Sequence, residues 1–210
     1  MNFELNLTKA DEVASKIQLN LKKDEKFTIL LKWKGDVDLD SHALLCKNNG
    51  QGGKISSMGD ILSTYNVKRV IGGQEVGTLD KDDKGNFNIY NGALTHTADL
   101  LGSNSEEDVE VIVIDPGKLP PLSGSAYEIP VIAMIHPQSG NKFFRDVQGA
   151  NVSILDSDGK ELMKVTLSNE FGDFIGIQMG SLIIDSQGTH FEAVGVGFNE
   201  DFNQVLGYFC

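Results

Sequence analysis

Apolar and polar residues alternate with a period of two in many short runs, the pattern of strands with one face toward a core. Phe3-Glu4-Leu5-Asn6-Leu7, Phe27-Thr28-Ile29-Leu30-Leu31-Lys32-Trp33 and Asn86-Phe87-Asn88-Ile89-Tyr90-Asn91 read this way. Residues 109–115, 127–135, 152–155, 161–165, 174–185 and 190–196 are further strand runs bounded by turn residues. Asp156-Ser157-Asp158-Gly159-Lys160 carries the Asp-Gly pair of a tight hairpin, and Ser186-Gln187-Gly188-Thr189 joins another. Thr8 followed by Asp11 imitates a capping box and predicts a short helix over 9–15, after which Ile17, Leu19 and Leu21 resume alternation. A terminal helical turn is predicted at 201–208.

These elements predict an all-β fold, an antiparallel β-sandwich with a few short helices, forming one domain over 1–210. Trp33 is assigned to the core, and Phe143 and Phe144 to sealing one end of it. Residues 47–86 break the pattern, with Gly at 50, 52, 53, 59, 72, 73, 77 and 85, and are read as an elaboration carrying a small helix or hairpin. Within it, Asp80-Lys81-Asp82-Asp83-Lys84-Gly85 resembles the start of an EF-hand loop. Lys84 falls on the third ligand position and Asn91 on the last, with no bracketing helices, so it reads as a solvated turn.

Charge alters this picture at two places. The 210 residues carry 18 basic and 30 acidic side chains, a net charge of −12, which argues against nucleic acid or an anionic membrane as partner. Part of the acid is concentrated in Gly35-Asp36-Val37-Asp38-Leu39-Asp40-Ser41-His42-Ala43-Leu44-Leu45. Extended, this segment turns Asp36, Asp38 and Asp40 one way and Val37, Leu39, Ala43 and Leu45 the other. Carboxylates about 6.8 Å apart repel by about 0.6 kcal/mol in water and several times more near low-dielectric protein. The neutraliser is either solvent counterions or a hard cation such as calcium. A second cluster, Asp99-Leu100-Leu101-Gly102-Ser103-Asn104-Ser105-Glu106-Glu107-Asp108, runs directly into the strand at 109–115.

The two cysteines, Cys46 in a strand and Cys210 at the end, have no zinc-site spacing, and a reduced cytosolic protein is the simpler account. The first residues lack a basic n-region and an apolar h-region, and no run of 18 apolar residues occurs, so neither export by that route nor membrane insertion is expected.

Taken in order, the acidic clusters and their surroundings resemble the TerD family of tellurium-resistance and stress proteins. The resembling residues are Trp33 with 35–45; Phe87-Asn88-Ile89-Tyr90-Asn91; Thr95-His96-Thr97 with Asp99 and Gly102; Glu106-Glu107-Asp108; Gly140 with Phe143; and Phe191-Glu192-Ala193-Val194-Gly195-Val196-Gly197. The resemblance implies a cytoplasmic β-sandwich that binds calcium between loops at one end and takes part in the stress response without catalysis. Asp38 and Asp40 match the family's acidic pair, Asp99 its loop Asp, and 106–108 its Asp-Asp-Glu. Ala98 and Leu100 stand where the family has Gly and Asn. The candidate metal ligands are Asp36, Asp38, Asp40, Asn91, Asp99, Glu106, Glu107 and Asp108, with calcium ions and other stress-response proteins as partners.

A metal-dependent hydrolase is the first alternative. Against it, His42, His96, His136 and His190 are dispersed, no Gly-x-Ser-x-Gly or P-loop pattern occurs, and Cys46 lies in a core strand. His42 is read as a strand-edge residue. The second alternative is an assembly or scaffold protein acting through 47–86.

Overall fold

The computed structural model describes residues 3–6, 8–9, 15–19, 21, 24–98, 108–122, 124–166 and 171–210. Among these, two large sheets enclose one main core. The first runs in the order Phe3–Asn6, Glu161–Thr166, Gln148–Leu155, Phe27–Lys34, Asp108–Ile114, Leu94–His96, Phe87–Ile89. The second runs Thr8–Lys9, Gly188–Phe198, Gly176–Asp185, Ala126–Ile135, Leu39–Leu44, Ile61–Leu62, with Ser15–Gln18, Cys46–Asn48 and Gly53–Lys54 joined to it off this path. Pairing within both is antiparallel, except that Phe3–Asn6 and Thr8–Lys9 join parallel to strands more than 150 positions later.

Alternation explains most strands. In Phe27–Lys34 every second residue, Phe27, Ile29, Leu31 and Trp33, is buried, while the residues between are partly exposed. The neighbouring Asp108–Ile114 sets Ile112 against Ile29 and Ile114 against Phe27. Asp156 closes its hairpin by accepting the N–H groups of Asp158 and Lys160 on one carboxylate oxygen. Two glycines of the Gly188–Phe198 strand have a packing reason: a Cβ on Gly195 would lie 2.2 Å from the Phe171 ring, and one on Gly197 2.3 Å from the Phe174 ring. Phe144 is buried at the end of the core, whereas Phe143 is only partly buried and lies beneath the Arg145 guanidinium, 4.5 Å from its ring centre.

The helix predicted over 9–15 is not supported at its ends: Lys9 and Ser15 both lie in strands, and 10–14 fall outside the described residues. The capping signal there is outweighed by pairing of both flanks to Gly188–Phe198. At the other end, the helix Phe202–Leu206 forms as expected, with Asp201 and Gln204 capping each other reciprocally. Its apolar face builds a second core. Phe202, Val205 and Leu206, with Phe209 of the following 3-10 turn Gly207–Phe209, pack on Leu44, Cys46, Ile61, Ile132, Met134 and Phe198. Each such side chain contributes about 1.5–3 kcal/mol by leaving water.

This second core overturns one expectation. All six residues of Leu39–Leu44 are buried, so that strand has no solvent face, and His42 is wholly enclosed instead of lying at an exposed edge. The elaboration has regular structure of its own. It holds short strands, 3-10 turns at Met58–Asp60 and Thr64–Asn66, and a two-stranded hairpin of Arg69–Ile71 and Gln74–Val76 whose turn uses Gly72 and Gly73 at positive φ. The EF-hand-like stretch is a turn in which exposed Asp82 accepts the N–H groups of Lys84 and Asn86 and the Asn86 side-chain amide. Those bonds hold its carboxyl below the usual range.

Candidate functional site

Phe27–Lys34 belongs to the first sheet and Leu39–Leu44 to the second, so residues 35–38 cross one end of the sandwich. Gly35 takes φ 108 at the start of the crossing, a backbone region that suits glycine. The Trp33 indole N–H donates to the Val37 carbonyl at 2.8 Å, which ties the crossing to the core. Asp38 is fixed through its backbone: its N–H donates to the Ser139 hydroxyl at 3.0 Å, and its carbonyl accepts the His136 N–H at 2.9 Å. Its carboxylate is 67% exposed and lies 3.9 Å from His136 Nδ1. Asp36 is exposed in the same crossing. Asp108, the first residue of its strand, is the register partner of Trp33 and so belongs to this rim.

Asp40 lies deeper, at 6% exposure. One of its oxygens accepts the Thr64 hydroxyl at 3.0 Å, and the other accepts the Tyr65 phenol at 2.7 Å. Burial, and then the charges of Asp40, Asp38 and Glu110, push the Tyr65 hydroxyl far above its ordinary value. That phenol therefore reports acidic groups from two distant stretches of chain.

Glu110 was not among the residues predicted for the site. The inward phase of its strand is set by Ile112 and Ile114, so Glu110 takes a core position and is 5% exposed. Its carboxylate accepts the Ser41 backbone N–H across the sandwich and lies 3.6 Å from His96 Nε2. Burial raises its pKa, partly offset by His96 and Ser41. Ser41 Oγ is 3.1 Å from that same Nε2, and His96 Nδ1 is 2.7 Å from the Thr97 carbonyl. Because a carbonyl can only accept, the contact with Thr97 requires a proton on His96 Nδ1.

Serine, histidine and glutamate in contact invite comparison with a hydrolase triad. A relay requires the hydroxyl and the acid on opposite ring nitrogens, and here both face Nε2. The group is also enclosed, with His96 at 0% and Ser41 at 3% exposure. It pins the two sheets together. On the other face of the same strand His42 sits between Phe202, with ring centres 4.4 Å apart, and Tyr65 at 5.0 Å. Neither of its ring nitrogens has a hydrogen-bond partner among the described residues, and burial, then the His96 charge, lowers its pKa to about 3.

Of the predicted ligands, Asp36, Asp38 and Asp108 share the rim, and Asp40 lies just inside it. Asn91 does not join them. It occupies the turn before Leu94–His96, whose Leu94 pairs with Ile114, at the opposite end of the Asp108–Ile114 strand, about 20 Å away at 3.4 Å per residue. Asp99, Glu106 and Glu107 lie outside the described residues. Among the described residues no three His, Cys, Asp or Glu side chains group as ligands of one ion. In donor chemistry the rim fits a hard cation, since Asp36 and Asp38 present carboxylate oxygens to solvent. Asp40, 6% exposed and covered by the Thr64 and Tyr65 hydroxyls, is not open to an ion at the rim as Asp36 and Asp38 are.

Fold and rim together define an all-β sandwich with an acidic edge where the chain passes between sheets. The chain belongs to the TerD family, that of the tellurium-resistance proteins: the TerD domain matches residues 79–209. The Asp36–Asp40 stretch precedes the matched part. Among solved structures, a homologue of telluride resistance protein (TerD) from Streptomyces coelicolor A3(2) is similar with a TM-score of 0.59 at 16% identity, over 87% of this chain and 95% of that one. A protein of unknown function, SAV2460, gives a TM-score of 0.58 at 14% identity, over 88% and 96%. These likenesses show the common fold. No curated protein matches the chain. Among the described residues no helix is long and apolar enough to cross a membrane.

Proposed function

We propose that the protein is a calcium-binding, non-enzymatic stress-response module of the TerD kind, acting in the cytoplasm against tellurite and related chemical stress. The ion would be held by acidic loops at one end of the sandwich, with Asp36, Asp38 and Asp108 at the rim and Asp99, Glu106 and Glu107 as further ligands. The observation that carries this reading is that Asp38, in the crossing, and Asp108, beside Trp33, belong to the same end of the sandwich although 70 positions separate them. Carboxylates gathered there repel one another, and a calcium ion, which takes six to eight oxygen ligands, relieves the repulsion. Calcium binding to the folded state alone then stabilises it by RT ln(1 + [L]/Kd), about 2.7 kcal/mol at one hundred times Kd.

A thermal melt in millimolar calcium against one in chelator tests the reading. For a domain of this size that stabilisation raises the melting temperature by roughly 5–10 °C. Equal midpoints in the two buffers would contradict it.

A second reading, an assembly protein that contacts other stress-response proteins through the elaboration, is favoured by the hairpin of Arg69–Ile71 and Gln74–Val76. Val70 and Ile71 there are 71% and 56% exposed. Replacing 69–76 with a short glycine linker while measuring native mass separates the two readings, since only the assembly role needs the hairpin.

A further inference from the structure

The acidic pair Asp38 and Asp40 is split by the fold: two residues apart, one faces solvent and the other is covered. We infer that Asp40 serves in this chain as the carboxylate that fastens the inserted segment 47–86 to the sandwich, and not as a ligand of the rim ion. The ion part of this statement rests on the calcium reading above; the fastening part stands without it.

Both oxygens of Asp40 accept hydroxyl donors from the insertion, Thr64 at 3.0 Å and Tyr65 at 2.7 Å. The donors lie on the 3-10 turn Thr64–Asn66, capped by the Ser63 hydroxyl, which accepts the Tyr65 N–H. That turn follows Ile61–Leu62, which pairs with Ala43 and Leu44 of the strand that carries Asp40. Asn66, next in the chain, is the hub of the insertion. Its side-chain amide donates to the carbonyls of Met58 and Ile61, its side-chain oxygen accepts the Thr78 hydroxyl, and its carbonyl accepts the N–H groups of Thr78 and Leu79. The Tyr65 ring also packs on His42 and Phe202, so the turn is clasped from three sides. Asp40 thus holds the turn, and the turn holds both ends of the insertion's central part.

Asp40 is 6% exposed, so a rim ion meets its carboxylate only if the Thr64–Asn66 turn that covers it moves aside, and the phenol and the threonine hydroxyl then lose their acceptor. A second buried carboxylate does the same mechanical work and has no part in the rim. Asp60, 2% exposed, accepts the N–H groups of Ser56 and Ser57 and the Tyr90 phenol. Two aspartate–tyrosine pairs, Asp40 with Tyr65 and Asp60 with Tyr90, bolt the insertion to the body.

Amide hydrogen exchange and calcium titration on the full chain test this together, using Asp40→Asn, Tyr65→Phe and Asp38→Asn. Asparagine keeps one acceptor oxygen and puts an amide donor in place of the other, so one hydroxyl proton loses its acceptor. In Asp40→Asn and Tyr65→Phe the amides of Lys68, Thr78 and Leu79 exchange at least tenfold faster than in the wild type, while the calcium Kd stays within threefold. In Asp38→Asn the amides are unchanged and the calcium Kd rises at least tenfold. A larger than threefold loss of calcium affinity in Asp40→Asn overturns the inference whatever the amides do, and so does unchanged exchange in both Asp40→Asn and Tyr65→Phe. If Asp40→Asn does not fold, Thr64→Val with Tyr65→Phe removes both donors and carries the exchange test under the same criterion. A wild type that takes up no calcium sinks the calcium reading alone, and the exchange result then decides whether Asp40 is the fastening.

Discussion

The Glu110 carboxylate, on a strand of the first sheet, accepts the backbone N–H of Ser41 in the second. A buried donor left without a partner costs about 1–3 kcal/mol. The bond therefore sets the spacing of the two sheets beneath the acidic rim.

Glu110→Ala removes this acceptor and leaves a cavity besides. Its melting temperature is predicted to fall by at least several degrees, at about 2–4 °C per kcal/mol for a domain of this size. Glu110→Gln, whose amide oxygen can still accept the Ser41 N–H, loses less. Calorimetric melts of the two variants check the order, and an alanine variant as stable as the wild type would show that the bridge carries no load.

Stability should decline on mild acidification, and His42 is a definable part of the reason. Its pKa is about 3 in the folded state against an ordinary 6.5. The unfolded chain takes up this proton where the folded chain refuses it, so the site's contribution is intact above pH 6.5 and is lost as the pH falls toward 3. At pH 5 the loss is about 2 kcal/mol. Glu110 acts in the opposite sense: its raised pKa lets the folded state keep a proton that the unfolded state releases, so its contribution grows as pH falls. Urea unfolding at pH 7 and pH 5 should show a smaller drop for His42→Phe than for the wild type, by about 2 kcal/mol. Equal drops would mean that His42 gains a partner on protonation.

Strands were the legible part of this sequence, and where they were misread the cause was long-range cover. Phe27–Lys34 follows its alternation residue by residue, and the Asp156 turn follows its Asp-Gly pair. The same alternation assigned Asp36, Asp38 and Asp40 to one solvent face. Only Leu39–Leu44 is strand, however, and its outer side is covered by a helix 160 positions later, which no local pattern announces. Glu110 lies between two valines, and nothing beside it marks it as inward. The phase is fixed instead by Ile112 and Ile114, which a count back from the end of the strand would have found. The insertion looked irregular because its order comes from buried Asp40, Asp60 and Asn66, side chains that a hydropathy pattern scores as loop. The first acidic stretch was recognised, whereas three residues of the second, Asp99, Glu106 and Glu107, lie outside the described part of the chain.

The C-terminal helix should shield Cys46. This thiol is 0% exposed in the second core, and burial raises its pKa well above the ordinary range, so it is unreactive as folded. In a Cys210→Ser background the native protein should resist 4,4′-dithiodipyridine. Phe209→Ala, which loosens the end of the cover, should raise the rate of labelling at least tenfold. Rapid labelling of the parent protein would mean that this cover opens readily in solution.

The account as a whole turns on the acidic rim, and isothermal titration of chelator-stripped protein with calcium, alongside magnesium and Asp38→Asn, tests it most directly. The account predicts saturable calcium binding, weaker binding of magnesium because a small ion demands a stricter octahedral shell, and at least tenfold loss of calcium affinity in Asp38→Asn. Absence of calcium binding, or calcium binding indifferent to Asp38, would contradict it.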